Sequence, residues 1–81
     1  MRVPRDLSGA DLIKGLECFG YQVTRQTGSH IRLSCQSSAG QHHVTIPNHD
    51  PLRVGTLASI LAAVAVHHGI TREELLKRLL R

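Results

Sequence analysis

The apolar residues of this chain change their spacing twice, and that change limits the elements it can form. Leu12, Ile13, Leu16 and Phe19 recur at the three-to-four-residue interval of a helix. Ser8 and Asp11 stand where a reciprocal N-terminal cap would place them, and Gly20 ends the pattern, so a first helix is predicted from about Gly9 to Phe19. The period then drops to two. Tyr21, Val23 and Arg25 alternate with Gln22, Thr24 and Gln26 in a first strand, and Thr27-Gly28 forms a turn. A second strand from His30 to Cys35 sends Ile31, Leu33 and Cys35 inward and His30, Arg32 and Ser34 outward. Gln36 to Gln41 reads as a hairpin loop. A third strand from His42 to Pro47 buries Val44 and Ile46 and turns His43 and Thr45 out.

After a loop from Asn48 to Val54 the helical interval returns from Thr56, with Leu57, Ile60, Leu61 and Val64 on one stripe ending before His67, His68 and Gly69. Thr71 and Glu74 form a capping box that opens a last helix through Leu80. The expected fold is α+β in the order α-β-β-β-α-α. A three-stranded antiparallel meander carries helices on one face, and its other face is open.

With 81 residues the chain is expected to be one domain with a thin core and a shallow site, which suits a polymer better than a small metabolite. Ten Lys and Arg against six Asp and Glu give a formal charge of +4, which favours polyanions or an acidic protein. Phe19 and Tyr21 are the only aromatic residues apart from histidines, too few to stack a run of bases. Cys18 and Cys35 form no C-x-x-C pair and no disulfide framework, so a reducing cytoplasm is expected, with both thiols read as small half-buried packing groups. Met1 to Leu7 has no apolar run of the signal-peptide kind, and no segment approaches the length of a membrane span.

The chemistry available lies on the outward sheet face. Histidine is the side chain whose ordinary pKa is nearest neutrality, so an exposed His30 is suited to taking a proton from a ribose 2′-hydroxyl or giving one to a leaving oxygen. Arg32 on the same face can hold a phosphate through paired hydrogen bonds. The same set is also what an ordinary solvated sheet face presents. No metal site is expected. His42 and His43 are adjacent on a strand and point apart, His67 and His68 are a poor chelating pair on a helix, and no H-x-x-x-H or carboxylate cluster occurs. His67 and His68 are read as partners of the helix C-terminal carbonyls.

From about Ser8 to Leu80 the ordered set of motifs resembles the HicA-type toxins of bacterial and archaeal toxin–antitoxin pairs. The set comprises Phe19-Gly20-Tyr21 after the first helix and Gly28-Ser29-His30 at the head of the second strand. Val44-Thr45-Ile46-Pro47-Asn48-His49 leads out of the third strand, followed by Gly55-Thr56-Leu57 with Ile60-Leu61, and then Gly69-Ile70-Thr71 before Glu73-Glu74-Leu75. The resemblance implies a fold related to double-stranded RNA-binding domains and a ribonuclease that cuts messenger RNA. It implies His30 as the catalytic residue, no cofactor, and a HicB-type antitoxin that covers this histidine. On that reading RNA crosses the open face, with Arg32, Arg25 and Lys14 contacting phosphates and Ser29 and His43 beside His30 as further substrate contacts.

Two other functions fit the residues less well. A non-catalytic double-stranded RNA-binding module would carry basic residues on the second long helix, yet Leu57 to Val64 has none. A pure protein-interaction module would meet an acidic partner and have no affinity for RNA.

Overall fold

The computed structural model describes residues 6–37 and 40–79. Helix α1 spans Gly9–Cys18, strands β1, β2 and β3 span Gln22–Thr27, His30–Ser37 and Gly40–Pro47, and helices α2 and α3 span Val54–His68 and Arg72–Leu79. The strands form one antiparallel sheet in the order β1-β2-β3. The expected α+β order is therefore found.

Local chemistry explains the boundaries. The Ser8 hydroxyl accepts the Asp11 amide hydrogen at 3.0 Å while the Asp11 carboxylate accepts from the Ser8 amide, closing the reciprocal cap of α1. Gly20 follows the helix at φ 107°, a backbone conformation that disfavours other residues. The Thr71 hydroxyl accepts the Glu74 amide at 3.0 Å and starts α3. Leu80 lies outside the described residues.

Three expectations need correction. The segment Gln36 to Gln41 is not a wide loop, because Gln36 pairs with Gln41 and Ser37 with Gly40. The strands run on because their backbones satisfy one another as far as the Ser37–Gly40 pair, although the polar side chains suggest an earlier break; Ser38 and Ala39 lie outside the described residues. Helix α2 begins at Val54, two residues before Thr56. Cys18 is exposed rather than half-buried, while Cys35 is buried.

The alternation along β2 and β3 sorts the sheet into two faces. Ile31, Leu33, Cys35, Val44 and Ile46 are buried beneath the helices with Leu12, Leu16, Leu57, Leu61, Val64 and Leu75. The other face, carrying His30, Arg32, His43 and Thr45, is exposed. Among the described residues no helix is long and apolar enough to cross a membrane.

Tyr21 joins the layers at one end of the fold. It is 1% exposed, and its hydroxyl lies 2.7 Å from His42 Nδ1 and 3.1 Å from His68 Nε2. A phenol can donate to one ring nitrogen and accept from the N–H of the other, so both contacts are satisfied together. His42 stacks on His67 with centroids 4.5 Å apart, His67 Nε2 lies 3.1 Å from the Ser37 hydroxyl, and Phe19 lies against His68 at 4.7 Å. His67 and His68 thus tie the end of α2 to the sheet through side chains, in place of the bonds to the helix carbonyls expected of them; the Gly69 amide meets those carbonyls instead.

This cluster gives the fold a pH dependence. Burial, then the neighbouring imidazoles His67, His68 and His43, lowers the His42 pKa; burial and then His67 lower that of His68. The unfolded chain therefore binds more protons than the folded one once pH falls below the ordinary histidine value of 6.5. Stability should be complete above that value and decline as the solution is acidified toward the lowered folded values. Thermal denaturation followed from about pH 7.5 to about pH 5 should show a falling Tm. A flat Tm would contradict this account of the cluster. Tyr21 responds at the other extreme, since burial, then the nearby Cys35, pushes its pKa up to about 12.

Candidate functional site

The site begins at the turn between β1 and β2. Gly28 adopts φ 58°, which allows the chain to reverse between the paired residues Thr27 and His30. The Ser29 carbonyl accepts the Asn48 amide at 2.7 Å, and His30 pairs with Pro47 on β3. The exit of β3 is held from below, where the Gly9 amide donates to the His49 carbonyl at 2.8 Å. A Cβ at position 9 would collide with the Pro47 carbonyl oxygen, so only glycine lets α1 start this close. His30 is therefore an exposed side chain on a backbone fixed from both sides.

Arg32 lies two residues further along the same face, about 7 Å away by strand geometry. Its cross-strand partners are Arg25 on β1 and Thr45 on β3. Strict alternation would have put Arg25 on the same side as Val23, which pairs with the buried Leu33. An irregularity between Val23 and Arg25 makes Thr24 an extra residue and turns Arg25 to the open face. Two guanidinium groups opposite one another repel. The only ion pair between described side chains is Glu74–Arg78 on α3, at 3.4 Å, so neither sheet arginine has a carboxylate partner among the described residues. No Asp or Glu occurs from position 18 to position 49. The sheet thus carries uncompensated positive charge beside His30.

Further along the face, a chain of hydrogen bonds crosses all three strands. His43 Nδ1 lies 2.6 Å from the Ser34 hydroxyl, which lies 3.2 Å from that of Thr24. This holds the exposed His43 ring through Nδ1 and leaves its Nε2 without a hydrogen-bond partner among the described residues. The link through Ser34 and Thr24 was not legible in the sequence, since it depends on the register and on the extra residue in β1.

Of the expected site residues, Ser29, His30, Arg25, Arg32 and His43 lie on the open face or at its turn. Lys14 does not. It lines a groove between α1 and α3 with Asp11, Phe19 and Arg78, in the helical layer on the far side of the sheet. Its position follows from the helical period, which places residue 14 away from the buried Leu12, Ile13 and Leu16. Among the described residues no group of three or more His, Cys, Asp or Glu side chains is arranged to hold a metal ion.

The family described as HicA toxin of bacterial toxin–antitoxin systems matches residues 9–66, from the first residue of α1 almost to the end of α2. The chain belongs to the HicA toxin family. The matched span contains the entire sheet and the Gly28-Ser29-His30 turn. Membership makes the protein a toxin that pairs with an antitoxin. No curated protein and no solved structure matches the chain.

Proposed function

We propose that this HicA-family toxin is a metal-independent endoribonuclease that cuts messenger RNA in the cytoplasm and so arrests translation, with His30 as the catalytic residue. The observation that carries the reading is an exposed imidazole on a rigid turn beside two unpaired arginines, on a sheet without carboxylates. Phosphodiester groups lie over Arg25 and Arg32, whose mutual repulsion an anion relieves. His30 assists attack of the ribose 2′-oxygen on the adjacent phosphorus. The 2′-hydroxyl loses its proton, the bond from phosphorus to the 5′-oxygen breaks, and that oxygen leaves protonated. One fragment then ends in a 2′,3′-cyclic phosphate and the other in a free 5′-hydroxyl. Imidazole supplies proton transfer and guanidinium supplies charge, so the step requires no metal. Ser29, next to His30, and His43 further along the face are additional substrate contacts. The antitoxin is of the HicB type and acts by covering His30.

Folded protein mixed with single-stranded messenger RNA in the presence of a metal chelator should shorten it. RNA left intact, or duplex RNA bound without cleavage, would overturn the proposal; the second outcome would point to a double-stranded RNA-binding module.

A further inference from the structure

The open face is divided into two chemically distinct halves. The end nearest His30 is cationic. The opposite end, beyond Arg32, carries amides and hydroxyls. Gln22 pairs with Ser34 and Gln36 pairs with Gln41. Cross-strand partners share a face, and Ser34 and Gln36 are in phase with His30 and Arg32. All three glutamines therefore lie on the open face. β1 begins only at Gln22, opposite Ser34, whereas the β2–β3 pairing extends beyond Ser34, and this difference in length leaves an open notch of about 360 Å³ lined by Gln22, Thr24, Ser34, Gln36 and Gln41, with Gly20 and Cys35 at its side. Gln22, Gln36 and Gln41 are exposed, and among the described residues none of their amides is held by another side chain.

We infer that this amide-lined notch is a base-reading subsite for single-stranded RNA, next to the cationic end that holds the sugar-phosphate chain. The inference rests on the ribonuclease reading above. Contacts to phosphate position a nucleic acid but carry little sequence information, whereas contacts to base edges specify it. A glutamine side chain presents a donor and an acceptor together, the pattern that pairs with the edge of an adenine. Bases of single strands can be turned outward to offer such edges, which a duplex in A-form does not readily do. The scarcity of aromatic residues removes base stacking as the main source of grip, leaving hydrogen bonding for discrimination. His43, held through Nδ1 by Ser34, stands exposed between the two ends with Nε2 left to contact the sugar-phosphate chain. Four to six residues along β2 separate His30 from Ser34 and Gln36, roughly 14 to 20 Å. The base read is therefore that of a neighbouring nucleotide and not of the one cleaved.

The test measures binding, so it stands apart from cleavage. In a His30→Ala background, affinities are compared for single-stranded RNA oligomers of equal length and charge that differ only in base. Discrimination on the order of tenfold is expected, with oligomers containing adenine bound most tightly. The Gln22→Ala, Gln36→Ala, Gln41→Ala triple variant, shown to be folded by circular dichroism, should bind all the oligomers within about twofold of one another. Equal binding of all oligomers before the glutamines are changed, discrimination that survives the triple change, or no RNA binding at all would overturn the inference. Discrimination in the absence of any cleavage by the unmodified protein would leave the subsite standing and remove the nuclease reading instead.

Discussion

Replacing His30 with alanine should lower RNA cleavage by roughly 10²–10⁴-fold, the usual contribution of a positioned acid or base. The protein should otherwise be unchanged. His30 is exposed, and its imidazole makes no hydrogen bond among the described residues, so removing the ring opens no cavity and strands no partner. The backbone at this point is held by the pairs His30–Thr27 and His30–Pro47 and by the bond from the Asn48 amide to the Ser29 carbonyl. None of these requires the side chain. Tm should therefore match that of the unsubstituted protein, and the loss should appear in kcat rather than in folding. Comparable cleavage by the folded variant would move the chemistry away from His30.

Leu33→Ala should produce the opposite result. Leu33 is 0% exposed and sits on the core face of the central strand, between Arg32 and Ser34 of the open face. Truncating a leucine in such a place costs about 2–5 kcal/mol, because transfer energy is lost and a cavity remains. A chain of this length is stable by only about 4–12 kcal/mol. The loss should lower Tm by roughly 10 °C or more in a thermal melt. Activity should fall at temperatures where the variant unfolds and recover below them. Val23→Ala is the comparison, since Val23 is 45% exposed at the sheet edge and its truncation should cost about 0.5 kcal/mol or less. A melt unaffected by Leu33→Ala would contradict the placement of the core.

The contrast between these substitutions reflects how the chain encodes fold and site. Alternation along β2 states plainly that Leu33 is inside and that His30 and Arg32 are outside, because each is set by a neighbour one residue away. The caps at Ser8 and Thr71 were legible for the same reason. Features that depend on two distant segments were not. Nothing in Val23-Thr24-Arg25 signals the irregularity that brings Arg25 beside Arg32, since it is defined only against β2. The full lengths of β2 and β3 are hidden in the sequence because Gln36 and Gln41 look like loop residues until they are paired. By its spacing alone Tyr21 is one member of an alternating strand. Its contacts reach 21 and 47 positions along the chain, to His42 and His68, and no local pattern could announce them. Lys14 lies away from the open face for a related reason, since positive charge alone does not say on which layer a helix presents it.

The site is therefore an assembled one. The turn supplies His30, the irregular edge strand supplies Arg25, and the third strand supplies His43, while a glycine at the start of α1 lets the helical layer support the strand exit beside His30. On the proposed reading, an antitoxin laid over the open face covers His30, so that coverage and inhibition are the same event.

The chelator assay, read at the 3′ ends of the fragments, tests this most directly. Transfer of the 2′-oxygen to phosphorus predicts termini closed as 2′,3′-cyclic phosphates, opposite 5′-hydroxyls. Fragments ending instead in a free 3′-hydroxyl opposite a 5′-phosphate would mean that water had attacked the phosphorus, and that the imidazole at the head of β2 does not perform the reaction assigned to it.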